Sequence, residues 1–251
     1  MWYALAGHED VVKSERPKIA VVGDFNASNV THRLTSAALE HVELAFSWLA
    51  TDSPGDWGER LAAFDGVWIA PASPYRSMGS ALAAVRSARE RGVPLVGTRG
   101  GFQHAIVEFA RNALGYRDAD HAETSPDAPR LVITPLSCSL VGQEQRVVLV
   151  PRTRAARLYG VPEAPEPYYC NYGVNPDYRL QFEASGLRVS GVGSEGEIRI
   201  VELPEHPFFV ATLFLPQARS TPASPHPLLA GFAAAVAACR EARARLSLAR
   251  P

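Results

Sequence analysis

The sequence lacks an excess of charge of either sign. It has 25 lysine and arginine residues against 26 aspartate and glutamate residues, a formal net charge of -1. A nucleic acid or an anionic membrane is held mainly by a basic field, so neither is expected as a partner. The local cluster Arg152, Arg154 and Arg157 is typical of a solvated loop.

Long apolar runs are also missing. The longest, near residues 228–238, is too short to cross a bilayer. The N-terminal segment does not combine a basic start with a long apolar stretch, so it does not predict a secretory signal. We therefore expect no membrane partner and a cytoplasmic location.

Cysteine is scarce, with Cys138, Cys170 and Cys239 as the whole set. An odd number without paired spacing predicts neither a disulfide framework nor a zinc site. We expect reduced thiols, no metal and no cofactor. A GxxxxGK[ST] phosphate-binding loop is absent as well, which argues against ATP-dependent synthetase chemistry in this chain.

The residues that are present indicate a globular α/β protein. Hydrophobic residues make up 47% of the chain and charged residues 20%, which is typical of a protein with a real core. Runs of β-branched residues alternate with segments of helical spacing, a pattern that predicts a doubly wound parallel sheet. The predicted strands are residues 18–25, 64–71 and 93–97, and the predicted helices are residues 29–49, 80–91 and 102–114.

The second half of the chain has a different pattern. It predicts short, partly antiparallel strands, a hairpin and a long final helix, and we interpret the polar segment 118–129 as a loop inside one domain. The whole chain, 1–251, is predicted to be a single domain with residues 1–17 as an N-terminal extension. The predicted strands are residues 131–136, 146–150 and 188–192, the hairpin begins at Ile198, and the helix covers 227–248.

One turn has the pattern of a nucleophile elbow. In the segment GTRGGFQ a strand ends and a helix begins at once, which lifts Arg99 to the carboxyl edge of the sheet between Gly97 and Gly100. A guanidinium stays protonated and has no electron pair with which to attack a substrate. It can bind a carboxylate or phosphate beside a helix N-terminus. Alternatively, Arg99 fills an emptied pocket and pairs with a nearby carboxylate.

Several segments, in order, resemble the glutamine-hydrolysing domain of CTP synthase. GTRGGFQHAIVEFARNALG, from Gly97, resembles GICLGMQ, AVIEFARN and LG of that family, and HPFFVATLFLPQA, from His206, resembles HPFFVATQFHPEF. The resemblance covers roughly residues 18–232 and includes free-standing proteins related to the CTP synthase C-terminal region, some of which contain selenocysteine. It implies a class I glutamine amidotransferase-like, flavodoxin-like three-layer α/β fold, with a mostly parallel central sheet and a small antiparallel part.

The resemblance also implies that the catalytic groups are lost. Its nucleophilic cysteine falls on Arg99, its histidine on Leu215 and its glutamate on Gln217. The two oxyanion-loop glycines fall on Pro71 and Ala72. With nucleophile, base and oxyanion donor all changed, we do not expect this chain to hydrolyse glutamine.

The remaining pocket residues are candidates for a different ligand. By the resemblance, Gln103 and Glu123 are retained glutamine-binding positions, while Asn171 replaces an arginine that holds the substrate carboxylate. Gly100 and Tyr75 are the other candidate ligand-binding residues. Tyr168 and Tyr169 either line the pocket or pack against a loop, and His104 is interpreted as a surface or capping residue rather than a base.

The two cysteines that border the pocket by the resemblance are candidate catalytic residues. Cys138 stands in the place of the family's MRLG strand, and Cys170 in the HRHRYEVN segment. Our hypothesis is that one of them, with its pKa lowered by Arg99, acts as a nucleophile or redox thiol. The alternative is that both are small core residues.

Two functions therefore remain open, and whether the chain is an enzyme stays open with them. In the first, the former glutamine pocket binds a small anionic metabolite, with or without thiol chemistry. In the second, the domain is a non-catalytic module that contacts a protein partner or forms a homodimer. An empty arginine-lined cavity favours the first, and a cavity filled by Leu215, Tyr75 and Arg99 favours the second.

Overall fold

The structure is a computed structural model that describes residues 16–71 and 73–248. The predicted extension over residues 1–17 therefore lies almost entirely outside the described residues, as does Ala72. The strands are β1 Lys18–Val22, β2 Ala45–Leu49, β3 Gly66–Ile69, β4 Leu95–Thr98, β5 Ala119–His121, β6 Arg130–Pro135, β7 Gln143–Leu149, β8 Glu163–Tyr168, β9 Tyr172–Val174, β10 Arg188–Val192, β11 Ile198–Glu202 and β12 Phe209–Thr212. The helices are α1 Val30–His41, α2 Trp57–Leu61, α3 Met78–Arg91, α4 Gly100–Asn112, α5 Arg154–Tyr159, α6 Arg179–Ala184 and α7 Pro227–Leu248, with short 3-10 helices at Pro176–Tyr178 and Pro216–Arg219.

The central sheet has nine strands within the described residues, in the order β2-β1-β3-β4-β12-β11-β10-β7-β8. The five strands from β2 to β12 run parallel, and the remaining four continue the sheet with antiparallel pairings. β5, β6 and β9 form a smaller sheet of their own. The predicted α/β architecture, with parallel strands and an added antiparallel part, is confirmed.

The parallel strands inside the sheet are buried on both faces, which is why their sequences are largely continuous apolar runs instead of alternating ones. Every described residue of β3, β4 and β12 is buried. In one group of helices, α3 packs against both α2 and α4. In a second group, α5 packs against α7. The predicted elbow lies between β4 and α4, at the carboxyl ends of the parallel strands.

The prediction of one helix over residues 29–49 is wrong. Helix α1 ends at His41, and β2 begins at Ala45 as the edge strand beside β1. Between them Glu43 has φ +57°, a left-handed conformation that ends the helix without a glycine.

Other differences concern segments interpreted as loops. The segment 118–129 contains β5, and Arg154 and Arg157 lie in α5, which Thr153 caps by accepting from Ala156 N at 3.1 Å.

The strand β8 was not predicted because prolines interrupt its pattern. It is an edge strand, where the missing N–H of Pro165 and Pro167 can be tolerated.

Within residues 16–71 and 73–248, no helix combines the length and the apolar character that crossing a membrane requires.

Candidate functional site

The elbow between β4 and α4 is held in a strained conformation. Arg99 has φ +48° and ψ −107°, a region that non-glycine residues rarely occupy. Its N–H donates to the Thr212 carbonyl of β12 at 2.8 Å, which fixes the turn to the neighbouring strand. Gly101 lets α4 start immediately, since a Cβ there would lie 2.8 Å from the Ile69 carbonyl carbon and closer still to its oxygen.

The Arg99 side chain lies on the side of the elbow that faces α1. Its Nε donates to the Tyr169 carbonyl, and its Cζ lies 5.8 Å from the centre of the Tyr169 ring. The partner is thus a carbonyl and an aromatic face, where one interpretation of the sequence expected a carboxylate. Arg99 and Tyr169 line a cavity of about 390 Å³ together with the start of α1, where the lining residues are Asn26, Ser28, Asn29, Val30 and Thr31.

Gln103 lies under the elbow with both ends of its side-chain amide occupied. Its Nε2 donates to the Tyr172 carbonyl at 2.9 Å, and its Oε1 accepts from His121 Nε2 at 3.1 Å. His121 Nδ1 in turn accepts from the Glu123 N–H at 3.0 Å, which fixes the tautomer with the proton on Nε2. Burial lowers the pKa of His121 to about 3.

The segment after β3 lies against the elbow. Ser73 Oγ donates to the Glu123 carboxylate at 3.3 Å, and a Cβ on Gly100 would lie 2.9 Å from Ser73 N. Tyr75 is buried, with its hydroxyl donating to the Ala70 carbonyl at 2.5 Å. Burial raises the pKa of Tyr75. The structure therefore brings the candidates Glu123, Gly100 and Tyr75 together, but their polar groups bind protein atoms.

His104 differs from its predicted environment, and Pro71 lies at a predicted oxyanion-loop position. His104 is buried, not at the surface: its Nδ1 donates to the Gly100 carbonyl at 2.7 Å, and burial lowers its pKa to about 4. Pro71, at one of the two oxyanion-loop positions, turns its carbonyl to His32 Nε2 at 3.2 Å. Ala72, at the other, lies outside the described residues.

Leu215 and Gln217 follow β12 and lie close to the elbow. The Leu215 side chain is buried, and its N–H donates to the Pro167 carbonyl at 2.9 Å. Gln217 Nε2 donates to Thr35 Oγ1 at 3.3 Å and lies 3.5 Å from Thr98 Oγ1, the last residue of β4. Its Oε1 is buried without a hydrogen-bond partner among the described residues.

The two candidate cysteines lie in different environments. Cys170 is buried with Sγ 3.9 Å from the Leu213 carbonyl, and burial raises its pKa to about 11 despite the opposing charges of Arg99 and Arg199. The expected lowering of the Cys170 pKa is therefore wrong, because desolvation outweighs the arginines. Cys138 is exposed and lines another cavity.

Asn171 belongs to the Cys138 side of this region. Its Oδ1 accepts from Ser139 Oγ at 2.7 Å, and its carbonyl accepts from Leu136 N at 2.8 Å.

The sequence interpretation missed His121, whose only signal was its position two residues before Glu123 in a segment taken for a loop.

Known proteins support the resemblance seen in the sequence. Residues 21–235 match the family described as Glutamine amidotransferase class-I. The chain is 37% identical to the CTP synthase of Acidothermus cellulolyticus over 204 residues, covering 74% of this chain and 37% of that protein. It is 34% identical to the CTP synthase of a Synechococcus species over 236 residues, covering 87% and 43%. The chain thus spans less than half the length of these relatives.

Solved structures show the same fold. The glutaminase domain of Trypanosoma brucei CTPS with bound acivicin matches with a TM-score of 0.81 and 26% identity, covering 88% of this chain and 94% of that one. A glutamine amidotransferase from Methylobacillus flagellatus matches with a TM-score of 0.56 and 14% identity, covering 90% and 94%. The predicted amidotransferase-like fold is confirmed.

Proposed function

We propose that this chain, which belongs to the class I glutamine amidotransferase family, does not hydrolyse glutamine and binds a small anion beside its elbow. The observation that carries the proposal is Arg99, which stands at the strained corner between β4 and α4. In an elbow of this kind the raised side chain is the nucleophile. A guanidinium cannot take that role, because it remains protonated and has no free electron pair.

The other groups needed for glutamine hydrolysis are also replaced. The resemblance puts the catalytic histidine at Leu215, whose buried aliphatic side chain cannot accept a proton, and the glutamate at Gln217. Pro71 has no N–H to offer an oxyanion. A nucleophile and its base act as a unit whose loss lowers kcat by about a millionfold in a protease. We therefore expect no measurable turnover.

The anion site is proposed on the α1 side of the elbow and not in the former glutamine pocket. Gln103 already has hydrogen bonds at both ends of its amide, and Glu123 accepts from Ser73. The cavity of about 390 Å³ beside Arg99 also borders the N-terminus of α1. The Thr31, His32 and Arg33 N–H groups donate to Asn29, but the positive end of the helix dipole still favours negative charge there. A guanidinium and a helix N-terminus together are suited to a small carboxylate or phosphate.

Isothermal titration calorimetry with two anions, inorganic phosphate and glutamate, tests binding, and an ammonia assay with glutamine tests hydrolysis. We expect binding of at least one of the two anions, no release of ammonia from glutamine, and loss of binding in Arg99→Gln. Arg76→Gln is the matched control, because Arg76 is an exposed arginine paired with Asp52 away from the cavity lining. Ammonia release above the uncatalysed rate, or equal anion binding by both variants, would contradict the proposal.

A thiol reaction at Cys138 is a second candidate function. Its support is that Cys138 is exposed and lines a cavity, while the raised pKa of buried Cys170 disfavours the thiolate. Alkylation of the native protein at neutral pH, followed by peptide mapping, should modify Cys138 and leave Cys170 intact. An unreactive Cys138 would end the thiol interpretation.

A partner-binding module is the alternative, and the exposed apolar residues at the elbow favour it. Phe25, Val30 and Tyr169 are 48%, 54% and 50% exposed, and the last two line the Arg99 cavity. Exposed apolar groups around an arginine are typical of interaction surfaces. Sedimentation at increasing concentration tests self-association. A homodimer that Val30→Asp dissociates would support the module, and a monomer without affinity for a separately produced synthetase domain would count against it.

A further inference from the structure

A second cavity lies in the antiparallel part of the molecule, apart from the elbow. Its volume is about 470 Å³, within the range of small-molecule sites. The turn after β6 and the turn between β10 and β11 form its two sides, and Arg199 of β11 belongs to its lining. Cys138 lines the same cavity, whereas Arg99 belongs to the lining of the other one.

Arg199 is a buried guanidinium with unused donors. Its side chain is 3% exposed, and its Nη2 donates to Glu197 Oε1 at 3.0 Å. Its Nε and Nη1 have no hydrogen-bond partner among the described residues. The neighbouring Tyr168, whose ring lies 5.4 Å from the guanidinium carbon, has a buried hydroxyl that is likewise without a partner there.

The backbone leaves room for this guanidinium. A Cβ on Gly193 would lie 2.5 Å from Glu197 Oε2 and 2.9 Å from Arg199 Nε. A larger residue at this position would displace the Glu197 carboxylate and the Arg199 guanidinium from their places. The turn around Gly193 and Glu197 therefore holds the Arg199 guanidinium in a defined position.

Unused buried donors indicate the chemistry of the missing partner. A buried donor destabilises the fold when nothing accepts its hydrogen bond. Nη1 shares one edge of the planar guanidinium with Nη2, and such an edge matches the two oxygens of a carboxylate. The cavity is lined by two arginines, Arg179 and Arg199, and two glutamates, Glu195 and Glu197, so a single negative charge is accommodated better than a phosphate dianion.

The remaining walls are largely apolar, with Leu136, Leu140, Val174 and Ile198 among the lining residues. We propose that this cavity is a binding site for a small monocarboxylate with an apolar body, whose carboxylate pairs with Arg199 and whose body lies towards Cys138. The site is separate from the proposed anion site at the elbow and does not depend on it.

Protection of Cys138 from alkylation tests the proposal on the unaltered protein. Iodoacetamide is the reagent, benzoate the probe, and uncharged benzamide the matched control of the same shape. At a benzoate concentration about ten times its Kd, the rate at Cys138 should fall about tenfold, because only the free form reacts. The rate at Cys239, on α7 and outside the cavity, should not change. Equal protection by benzamide, or none by either compound, would refute the proposal.

Variants separate the arginine from the general shape of the cavity. Arg199→Gln should abolish protection by benzoate, and Arg199→Lys should weaken it because an ammonium lacks the planar fork. Arg188→Gln, at an exposed position of β10 outside the cavity lining, is the control for charge alone and should retain protection. Inorganic phosphate should protect less than benzoate. Full protection in Arg199→Gln would show that the carboxylate does not pair with this residue, and stronger protection by phosphate would contradict the monocarboxylate assignment.

Discussion

His121 donates from Nε2 to the side-chain oxygen of Gln103 across 3.1 Å and accepts a hydrogen bond at Nδ1, and the accepted bond requires a neutral imidazole. The other ring nitrogen accepts the Glu123 N–H, so protonation would break one of the two contacts. Burial also disfavours the charged ring, because it would lose its hydration, and lowers the pKa of His121 to about 3. The pair links the small sheet to α4 beneath the elbow.

Acidification from pH 7 to pH 5 should lower the free energy of unfolding. In the unfolded chain a histidine has a pKa near 6.5, whereas folded His121 and His104 have pKa values of about 3 and about 4. The unfolded state thus binds more protons, and stability falls with pH by about 1 kcal/mol per unit for each group once the pH is below 6.5. Urea denaturation at several pH values measures this slope.

The variant His121→Gln supplies the control for the pH experiment. It should be less stable than the natural protein at pH 7, and its slope between pH 6 and pH 5 should be smaller by the contribution of one histidine. A slope identical to that of the natural protein would show that His121 does not carry the effect.

Replacing Arg99 by glycine and by alanine should give different stabilities. Both changes remove the contacts of the guanidinium with Tyr169. Only glycine relieves the conformation at φ +48° and ψ −107°, which costs a non-glycine residue about 1–3 kcal/mol. Arg99→Gly should therefore be more stable than Arg99→Ala by at least about 1 kcal/mol in urea denaturation. Equal stabilities would mean that the elbow relaxes in the alanine variant.

Two glycines at helix starts should respond in opposite ways to alanine. Gly101→Ala places a methyl group against the Ile69 carbonyl and should cost about 3 kcal/mol or prevent folding. Gly79, in the first turn of α3, has nothing within 4 Å of the position that an added methyl group would take, so Gly79→Ala should stabilise by about 0.5–1 kcal/mol. Thermal unfolding compares the two, and a stable Gly101→Ala protein would argue against the close approach of α4 and β3.

The ion pair between α3 and α4 should be sensitive to loss of one partner. Arg89 donates from Nε and Nη2 to the two oxygens of buried Glu108 at 2.9 and 2.8 Å. Glu108→Leu leaves Arg89 without this partner and should cost about 3 kcal/mol, whereas the double variant Arg89→Met, Glu108→Leu should recover most of the loss. Arg86→Ala, in an exposed pair with Glu90, is the control and should cost less than about 1 kcal/mol.

The buried parallel strands could be predicted from sequence because short, continuous runs of β-branched residues between turn signals are typical of such strands. The edge strand β2 could not, since all of its residues are half-buried and their spacing also fits a helix. The break at Glu43 depends on a left-handed residue that carries no glycine signal. Here the pairing with β1 overrides local helical preference, which a single sequence does not reveal.

The position of the elbow could likewise be predicted from its glycines, but the partners of the pocket residues could not. Gln103 and His121 are 18 residues apart and meet only because β5 lies beside α4. The sign of the shift at Cys170 required its burial, which outweighs the arginines that the sequence suggested. The binding role proposed for Arg199 could not be predicted from the sequence, because it depends on the residues that surround the guanidinium in the folded protein.

The prolines of β8 have a consequence for assembly. β8 forms one margin of the large sheet, where unpaired backbone groups could recruit a strand from another molecule. Pro165 and Pro167 interrupt the row of available donors, and the Pro167 carbonyl is already taken by Leu215 N. Growth of a continuous intermolecular sheet from this margin is thereby discouraged, so two copies that meet are expected to do so through side chains.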